Sequence, residues 1–376
     1  MKEVRLVADD LTGALDTAAE LTPLAGPMPI FWDGVRPAEL PASCAIDSGT
    51  REKDPHSAVQ ALARLAPELA NAAIPYKKVD SLLRGHTMAE LAACWRLGAW
   101  DHCIVAPAFP FHGRVTVGGV QSVRGRDPRV VADVVALLAE AGVEARRGDP
   151  SRSLALGVTV FDAETDHDLA RVATLGRAAR GRVLWCGSAG LAQALAAWRD
   201  MPKPPRLSGR VIGLFGSDQD ITAQQLHTCG DRWLRLSGQA GDHDRLVGQL
   251  GRDGIVMASL AIPAGLSRTG AAERIATVFA GIVKAITRPD VLLVAGGETL
   301  RGLCDALGAT SLEVRGQFEP GLPHSVMRGG RWDGVTVVSK SGAFGGPTLW
   351  RDLLTAHGHA FGDAKPDGAS AGKVRA

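Results

Sequence analysis

No stretch of the chain approaches the roughly 18 uninterrupted apolar residues of a membrane span. The opening Met-Lys-Glu-Val-Arg-Leu-Val-Ala also lacks the apolar run of a signal peptide. A membrane partner is therefore not expected, and a cytoplasmic location is. Charge of one sign is lacking as well. The formal net charge is +2, too small to argue for nucleic acid, and there is no basic stripe or recognisable DNA-binding module. A local cluster of cations for a small anion is not excluded by that balance. The six cysteines (Cys44, Cys94, Cys103, Cys186, Cys229 and Cys304) form no C-x-x-C pair and are irregularly spaced. Neither a disulfide framework nor a structural zinc site is expected; reduced, mostly buried thiols are. Also missing are a Walker A lysine motif, the protein-kinase set, H-E-x-x-H and a G-x-G-x-x-G fingerprint after the first strand. His357 and His359 read as solvated residues near the end of the chain.

What is present is an ordinary globular composition. Hydrophobic residues make up 45% and charged residues 22% of 376, enough chain for large cores and for two domains. Short apolar runs at 4–8, 72–79, 103–106, 156–161 and 182–186 read as buried strands, as do 211–215, 254–258, 291–295 and 335–339. Between them, 55–70, 133–141, 168–179 and 271–286 carry apolar residues at helical spacing. Strand–helix alternation predicts an α/β fold with two domains, each a mostly parallel sheet flanked by helices. The stretch 201–209, Met-Pro-Lys-Pro-Pro-Arg-Leu-Ser-Gly, reads as the join, because its prolines stop a helix and stiffen the chain. The expected domains are 1–205 and 206–361, with a frayed tail at 362–376.

Polar motifs repeatedly follow the strands, and in parallel sheets ligands bind beyond the strands' carboxyl ends. Asp9-Asp10-Leu11-Thr12-Gly13-Ala14-Leu15-Asp16 places two adjacent carboxylates there. Their mutual repulsion can raise one pKa toward that of a general base. Capping of the helix that contains Leu15 and Ala18 by Asp10 or Thr12 explains the same residues. Lys77-Lys78-Val79-Asp80-Ser81-Leu82-Leu83-Arg84-Gly85-His86 gathers cations, a carboxylate and a hydroxyl. Arg grips a carboxylate in a bidentate manner and Lys neutralises it, although a solvated loop with incidental ion pairs has the same composition. Arg51 is another cation at a strand end. In the loop Ala106–Thr116, His112 and Arg114 can meet an anion or simply shape the turn.

The second half supplies three glycine-rich turns: Gly216-Ser217-Asp218, Gly296-Gly297-Glu298-Thr299 and Ser341-Gly342-Ala343-Phe344-Gly345-Gly346. Glycine lets backbone N–H groups approach phosphates, and a helix N-terminus favours negative charge. Three such turns after three strands point to a nucleotide site. Cys186-Gly187-Ser188-Ala189-Gly190 is a similar turn read mainly as a helix start.

In order along nearly the whole chain, these motifs resemble those of the four-carbon acid sugar kinase family. The resemblance rests on Ala8–Ala14, Lys78–Gly85, Ala106–Pro110, Cys186–Leu191, Gly296–Thr299 and Lys340–Gly346. It implies an N-terminal domain for the sugar acid and a C-terminal domain for the nucleotide, with the active site in the cleft between them. It also implies transfer of the γ-phosphoryl group of ATP to the terminal hydroxyl of threonate, erythronate or an oxo-tetronate in carbohydrate catabolism. The implied substrate contacts are Asp10, Arg51, Lys78, Asp80, Ser81 and Arg84, with Asp10 or Asp80 as the catalytic base. The implied ATP contacts are Ser217, Gly296, Gly297, Glu298, Thr299, Gly342, Ala343, Phe344 and Gly345. Mg²⁺ is the expected companion of ATP, and the sequence names no ligands for it. One departure from the family pattern is acidic: Asp218 and Asp220 follow Ser217, where negative charge opposes phosphate unless it points away or meets a metal. An NAD-dependent dehydrogenase or lyase, and a non-catalytic acid-binding regulator, are the competing readings. The oligomeric state is open, with a homodimer the commonest outcome.

Overall fold

The apolar runs expected as strands are strands in the structure, with ends moved by one or two residues. The computed structural model describes residues 2–33, 35–125, 128–196, 199–239, 241–263 and 265–361; the expected tail at 362–376 lies outside them. The chain divides into two compact units, Met1–Pro204 with Ala309–Gly334, and Pro205–Gly308 with Val335–Ala376.

In chain order the first unit begins with β1 (Val4–Ala8), α1 (Leu11–Ala25), β2 (Met28–Trp32), β3 (Cys44–Asp47), α2 (Pro55–Ala70), β4 (Ile74–Lys78), α3 (Thr87–Leu97) and β5 (His102–Ala106). It continues with β6 (Arg114–Val117), β7 (Val120–Val123), β8 (Arg129–Asp133), α4 (Val134–Glu140), β9 (Ala145–Gly148), β10 (Gly157–Phe161), α5 (Asp166–Ala178), β11 (Val183–Gly187) and α6 (Ala189–Ala196). The second unit takes β12 (Val211–Phe215), α7 (Asp220–His227), β13 (Trp233–Leu236), α8 (Asp242–Asp253), β14 (Ile255–Leu260), α9 (Arg268–Ala285), β15 (Val291–Ala295) and α10 (Gly297–Leu307). The chain then re-enters the first unit for β16 (Ser311–Gln317) and β17 (Pro323–Arg328), and ends in the second with β18 (Thr336–Lys340) and α11 (Leu349–Ala356).

The sheet of the first unit runs β17-β16-β2-β3-β1-β4-β11-β5-β10-β9. From β2 to β9 every pairing is parallel, whereas β16 lies antiparallel to both β2 and β17. Strands covered on both faces read as continuous apolar runs, which is why β1, β5 and β11 were legible. Helices α2, α3 and α4 pack in series against a core of Val7, Ile46, Leu62, Leu91, Cys94, Val105 and Val160, while α1, α6 and α5 pack in another series. Local chemistry starts the helices. Asp54 caps α2 ahead of Pro55, and Thr165 with Asp168 forms a capping box on α5. A separate antiparallel sheet, β6-β7-β8, follows β5.

The second unit has the parallel order β13-β14-β12-β15-β18. Ile212, Leu214, Val256, Leu292, Leu293 and Val337 are fully buried in it, and Trp350 of α11 packs against Phe215 with ring centroids 5.5 Å apart.

Two expectations are corrected here. The region 206–361 is not continuous in one unit, because β16 finds its partner in β2 and takes 309–334 with it. His357 and His359 are not merely solvated: Leu207 N donates to His357 Nδ1 at 3.1 Å, and His359 Nε2 lies 2.9 Å from Leu207 O, which fixes the start of the second unit against its last helix. Among the described residues no helix is long and apolar enough to cross a membrane.

Candidate functional site

In the first unit the polar motifs converge because β3, β1, β4, β11 and β5 are sheet neighbours whose carboxyl ends point the same way. Asp10 caps α1, its Oδ1 accepting from Gly13 N at 2.9 Å. The capping reading is thus correct, and it is not the whole account. Asp10 Oδ2 also accepts from Arg51 Nη1 at 2.7 Å, while Arg51 Nε and Nη2 each donate to Asp9 at 2.8 Å. Arg51 is therefore the clamp that fixes the two aspartates, and its Nη2 comes within 3.7 Å of Asp80.

Asp80 is held by a bidentate pair with Arg84, Nη2 at 2.7 Å and Nε at 2.9 Å, and by the amides of Leu82 and Arg84. The turn that makes this possible carries Leu83 at φ 55°, a left-handed leucine that costs about 1–2 kcal/mol. Such strain persists where surrounding contacts impose it and collects at functional sites. Gly85 closes the turn at φ 76°, and a Cβ there would sit 3.2 Å from Asp9 Oδ2.

Lys78 carries the most direct sign of a ligand site. It is buried, yet among the described residues no hydrogen bond or ion pair engages its ammonium. Gly13 makes room for it: a Cβ on Gly13 would lie 2.9 Å from Lys78 Nζ and 2.6 Å from Asp10 Oδ1. A buried cation with no hydrogen-bonded or ion-paired anion is costly unless a ligand supplies one, even where Asp9, Asp10 and Asp80 are near enough to feel its charge. Arg84 is largely exposed beyond its pair with Asp80, and Arg114 Nε is closed from solvent with no partner. Gln121 of β7 donates to Ser81 O at 2.8 Å and so ties the small sheet to the Asp80 turn.

The carboxylates differ in basicity. For Asp80, burial works upward, but Arg84, Lys78 and Arg51 together hold the carboxyl far below the usual range. For Asp9, burial is likewise outweighed by Arg51, Lys77 and Lys78. Asp10 goes the other way: burial raises it, and the charge of Asp9 offsets part of the pull from Arg51. Asp16, further along α1, has an enclosed Oδ1 with no partner, and burial pushes it up to about 7. His112 is lowered to about 4 by burial and by Arg114.

Beneath the site runs a network that sequence reasoning missed. Lys77 Nζ pairs with Glu90 of α3 at 2.8 Å and donates to Lys78 O at 2.9 Å. The other Glu90 oxygen accepts from Thr50 Oγ1, which lies 2.8 Å from Ser48 Oγ, and Ser48 donates to Ala8 O at 2.9 Å. Every member is buried. Lys77 was visible in its motif, whereas nothing adjacent to Glu90 signals that its partner is Lys77.

In the second unit the three glycine turns meet at the carboxyl ends of β12, β15 and β18. A Cβ on Gly216 would lie 2.3 Å from Thr299 Oγ1, and one on Gly342 would lie 2.2 Å from Ser217 Oγ. Only glycine permits these approaches. Gly297–Leu307 is an 11-residue helix, so its first amides, those of Gly297, Glu298 and Thr299, have no partner within the helix and, among the described residues, none outside it. Ser217, Thr299 and Gly342 are thus brought together. Phe344 donates its amide to Ser341 O at 3.2 Å, while the Phe344 and Gly346 carbonyls accept from Gln225 Nε2. Asp218 is exposed and interacts with the Gln219 side chain at 3.2 Å.

Residues 4–140 and 129–195 match the family described as a sugar-binding N-terminal domain, and 242–349 match a nucleotide-binding C-terminal domain. The chain is 30% identical to a D-threonate kinase of Cupriavidus necator over 92% of its own length and 96% of the relative's. It is 27% identical to a D-erythronate kinase of Heliobacterium modesticaldum, covering 92% of this chain and 94% of that one. A 3-oxo-tetronate kinase of Pseudomonas fluorescens is 26% identical, with 93% and 95% covered. Among solved structures, one titled a putative tRNA synthase from Salmonella typhimurium superposes with a TM-score of 0.71 at 21% identity, covering 94% of this chain and 98% of that chain. A Haemophilus influenzae protein does so with 0.70 at 18%, covering 94% and 100%. These two establish a shared fold.

Proposed function

The chain belongs to the four-carbon acid sugar kinase family and is a phosphotransferase, and from that premise we propose that it transfers the γ-phosphoryl group of ATP to the terminal hydroxyl of a tetronate or 3-oxo-tetronate. The observation that carries the substrate class is the buried, unengaged ammonium of Lys78 beside Asp10. An acid sugar brings a carboxylate and several hydroxyls, which are the complements of that cation and of the neighbouring aspartates. The kinase relatives favour phosphoryl transfer over the dehydrogenase, lyase and regulator readings.

Phosphoryl transfer asks a protein chiefly for positioning and electrostatic stabilisation. In this reading Lys78 and Arg84 neutralise and orient the acid, and Ser81 hydrogen-bonds a hydroxyl. Arg51 spends three of its five N–H groups on Asp9 and Asp10, which leaves two for the substrate. It holds Asp10 in place. Asp10 is the better base of the two candidates because its carboxyl is raised while that of Asp80 is depressed. Asp80 instead fixes Arg84 and accepts a substrate hydroxyl. The first amides of α10, the Gly342 turn and the Ser217 and Thr299 hydroxyls suit the phosphates of ATP.

Among the described residues no cluster of three His, Cys, Asp or Glu side chains forms a metal site. Mg²⁺ usually keeps its waters and is bound through substrate phosphates with one or two carboxylates, so the donor set fits that mode. Asp218 and Glu298 are the carboxylates beside the phosphate turns that would hold it, which gives the acidic departure after Ser217 a use. When bound, Mg²⁺ neutralises developing charge on the phosphates.

The test is ADP release by the full-length protein with ATP, Mg²⁺ and a panel of D- and L-threonate, D-erythronate and their 3-oxo forms. ADP formation dependent on one of these acids supports the reading. No acid-dependent ADP across the panel, with the protein shown folded by its melting curve, would falsify it.

A further inference from the structure

Lys340 closes β18 at the point where the three turns of the second unit meet, opposite Ala295 in the register with β15. It is among the largest fully buried side chains of the molecule. Its ammonium reaches no carboxylate among the described residues. It donates instead to two carbonyls of its own following turn, Ser341 O at 3.0 Å and Gly342 O at 3.0 Å. Thr222 Oγ1 donates to the same Gly342 O at 2.9 Å. A buried lysine spent on two backbone carbonyls is an expensive way to close a turn, since burial alone lowers its pKa to about 7.

The geometry gives this arrangement a purpose. In a trans peptide the carbonyl and the N–H of one unit point to opposite sides. Drawing the Ser341 and Gly342 carbonyls inward onto Lys340 therefore turns the Gly342 and Ala343 amides outward. Among the described residues neither amide has a hydrogen-bond partner. The same turn lies against Ser217, whose Oγ would stand 2.2 Å from a Cβ on Gly342. We propose that Lys340 is the positioning residue of the nucleotide site: it aims the Gly342 and Ala343 amides at the phosphates of ATP and places a countercharge beneath them. The proposal rests on the nucleotide reading above and deepens it.

The surroundings of Lys340 make the charge conditional. The acids on the neighbouring elements are Asp218 of the β12–α7 turn, Asp220 at the start of α7 and Glu298 of α10, and among the described residues none pairs with it. Arg301, on α10, is engaged with Asp305. Burial is the sole cause of the lowered pKa, so above neutral pH the free protein holds a largely neutral amine. An arriving polyphosphate supplies the missing negative charge, and the amine then takes up a proton.

The test uses full-length protein, Mg²⁺ and the non-hydrolysable ATP analogue adenosine 5′-(β,γ-imido)triphosphate. Titration calorimetry at pH 8 in HEPES and in Tris buffers, which differ in ionisation enthalpy, reports protons taken up on binding. Mg²⁺ already bound to the analogue keeps its terminal phosphate ionised at that pH, so the analogue adds little to the count. The expected result is uptake of most of one proton by the wild type. In steady-state kinetics, Lys340→Met should raise the KM for ATP roughly ten- to a hundredfold and leave the KM for the sugar acid unchanged. A lysine with a merely structural role would lower the melting temperature or the active fraction while leaving the ATP KM and the proton count alone. If Lys340→Met does not fold, the proton count on the wild type still decides. Wild-type binding without proton uptake, or a folded Lys340→Met whose ATP KM stays within about twofold, overturns the inference and leaves the nucleotide reading standing. A flat wild-type titration overturns the nucleotide reading and this inference with it.

Discussion

Asp10 and Asp80 stand at the ends of adjacent strands and share Arg51, yet their surroundings drive their basicities apart. Asp80 is bound by a bidentate arginine and two amides, which lowers its affinity for a proton. Asp10 is half-buried, and desolvation together with the neighbouring charge of Asp9 raises it. Asp10→Asn should therefore lower kcat by about 10²–10⁴ with little change in the KM for the acid, whereas Asp80→Asn should act mainly on that KM by freeing Arg84. Steady-state kinetics of the two variants separate these outcomes; an inactive Asp80→Asn beside a fully active Asp10→Asn would reverse the assignment. The sign of the pH effect follows: as pH falls through the raised pKa of Asp10 the base is protonated and turnover is lost. A second residue carries a stability prediction. Glu20 of α1 is buried against Gln317 and pushed up to about 7 by burial. The folded state then binds a proton that the unfolded chain releases near 4.5, so this group's contribution is intact below that value and is lost as pH rises through about 7. Thermal melts should show Glu20→Gln more stable than the wild type at pH 8, by on the order of 1–3 kcal/mol, with the gap closing by pH 4.5. A gap that is equal at both pH values would contradict this.

At the scale of elements, the runs that were legible are those buried on both faces, such as Val4–Ala8 and Val291–Ala295. The missed elements have physical reasons. Strand β2 reads Met-Pro-Ile-Phe-Trp, with a proline at its second position that argues against a central strand. Its β16 partner has an antiparallel pattern with a bulge between Val314 and Gly316. In the candidate site the motif residues were readable because they lie in four short segments at strand ends. The buried Lys77–Glu90 pair was not, because its two members lie on β4 and α3 and meet only through packing. That pair joins Thr50, next to Arg51, to the backbone of Lys78. Breaking it from one side leaves an uncompensated buried charge. Lys77→Met and Glu90→Leu should each cost about 3–5 kcal/mol in denaturant unfolding, while the double variant should recover most of that loss. Turnover of the double variant should stay depressed, since Thr50 and the Lys78 carbonyl have lost their anchor. Single variants within about 0.5 kcal/mol of the wild type would show that the network does not support the site.

At the scale of the whole molecule, the order of elements along the chain is not the order of assembly. The first unit needs the β16–β17 hairpin, which is encoded after most of the second unit. Nothing in composition or spacing announces that return, and only pairing across about 280 residues of sequence, Leu312 with Ile30, reveals it. A fragment ending at Pro204 would leave the β2 edge unpaired and Glu20 without Gln317. It should lose the cooperative melting of the full chain and bind a hydrophobic dye; a cooperative melt at the full-length temperature would contradict that dependence. The account as a whole rests on where the phosphoryl group ends. The full-length protein is incubated with ATP, Mg²⁺ and each tetronate that supports ADP release, and the product is read by proton-coupled ³¹P NMR. Transfer to the terminal CH₂OH predicts a new phosphate-ester resonance split into a triplet by the two methylene protons. A doublet would place the phosphate on a secondary hydroxyl, and inorganic phosphate alone would mean hydrolysis without transfer; either result contradicts the proposed reaction.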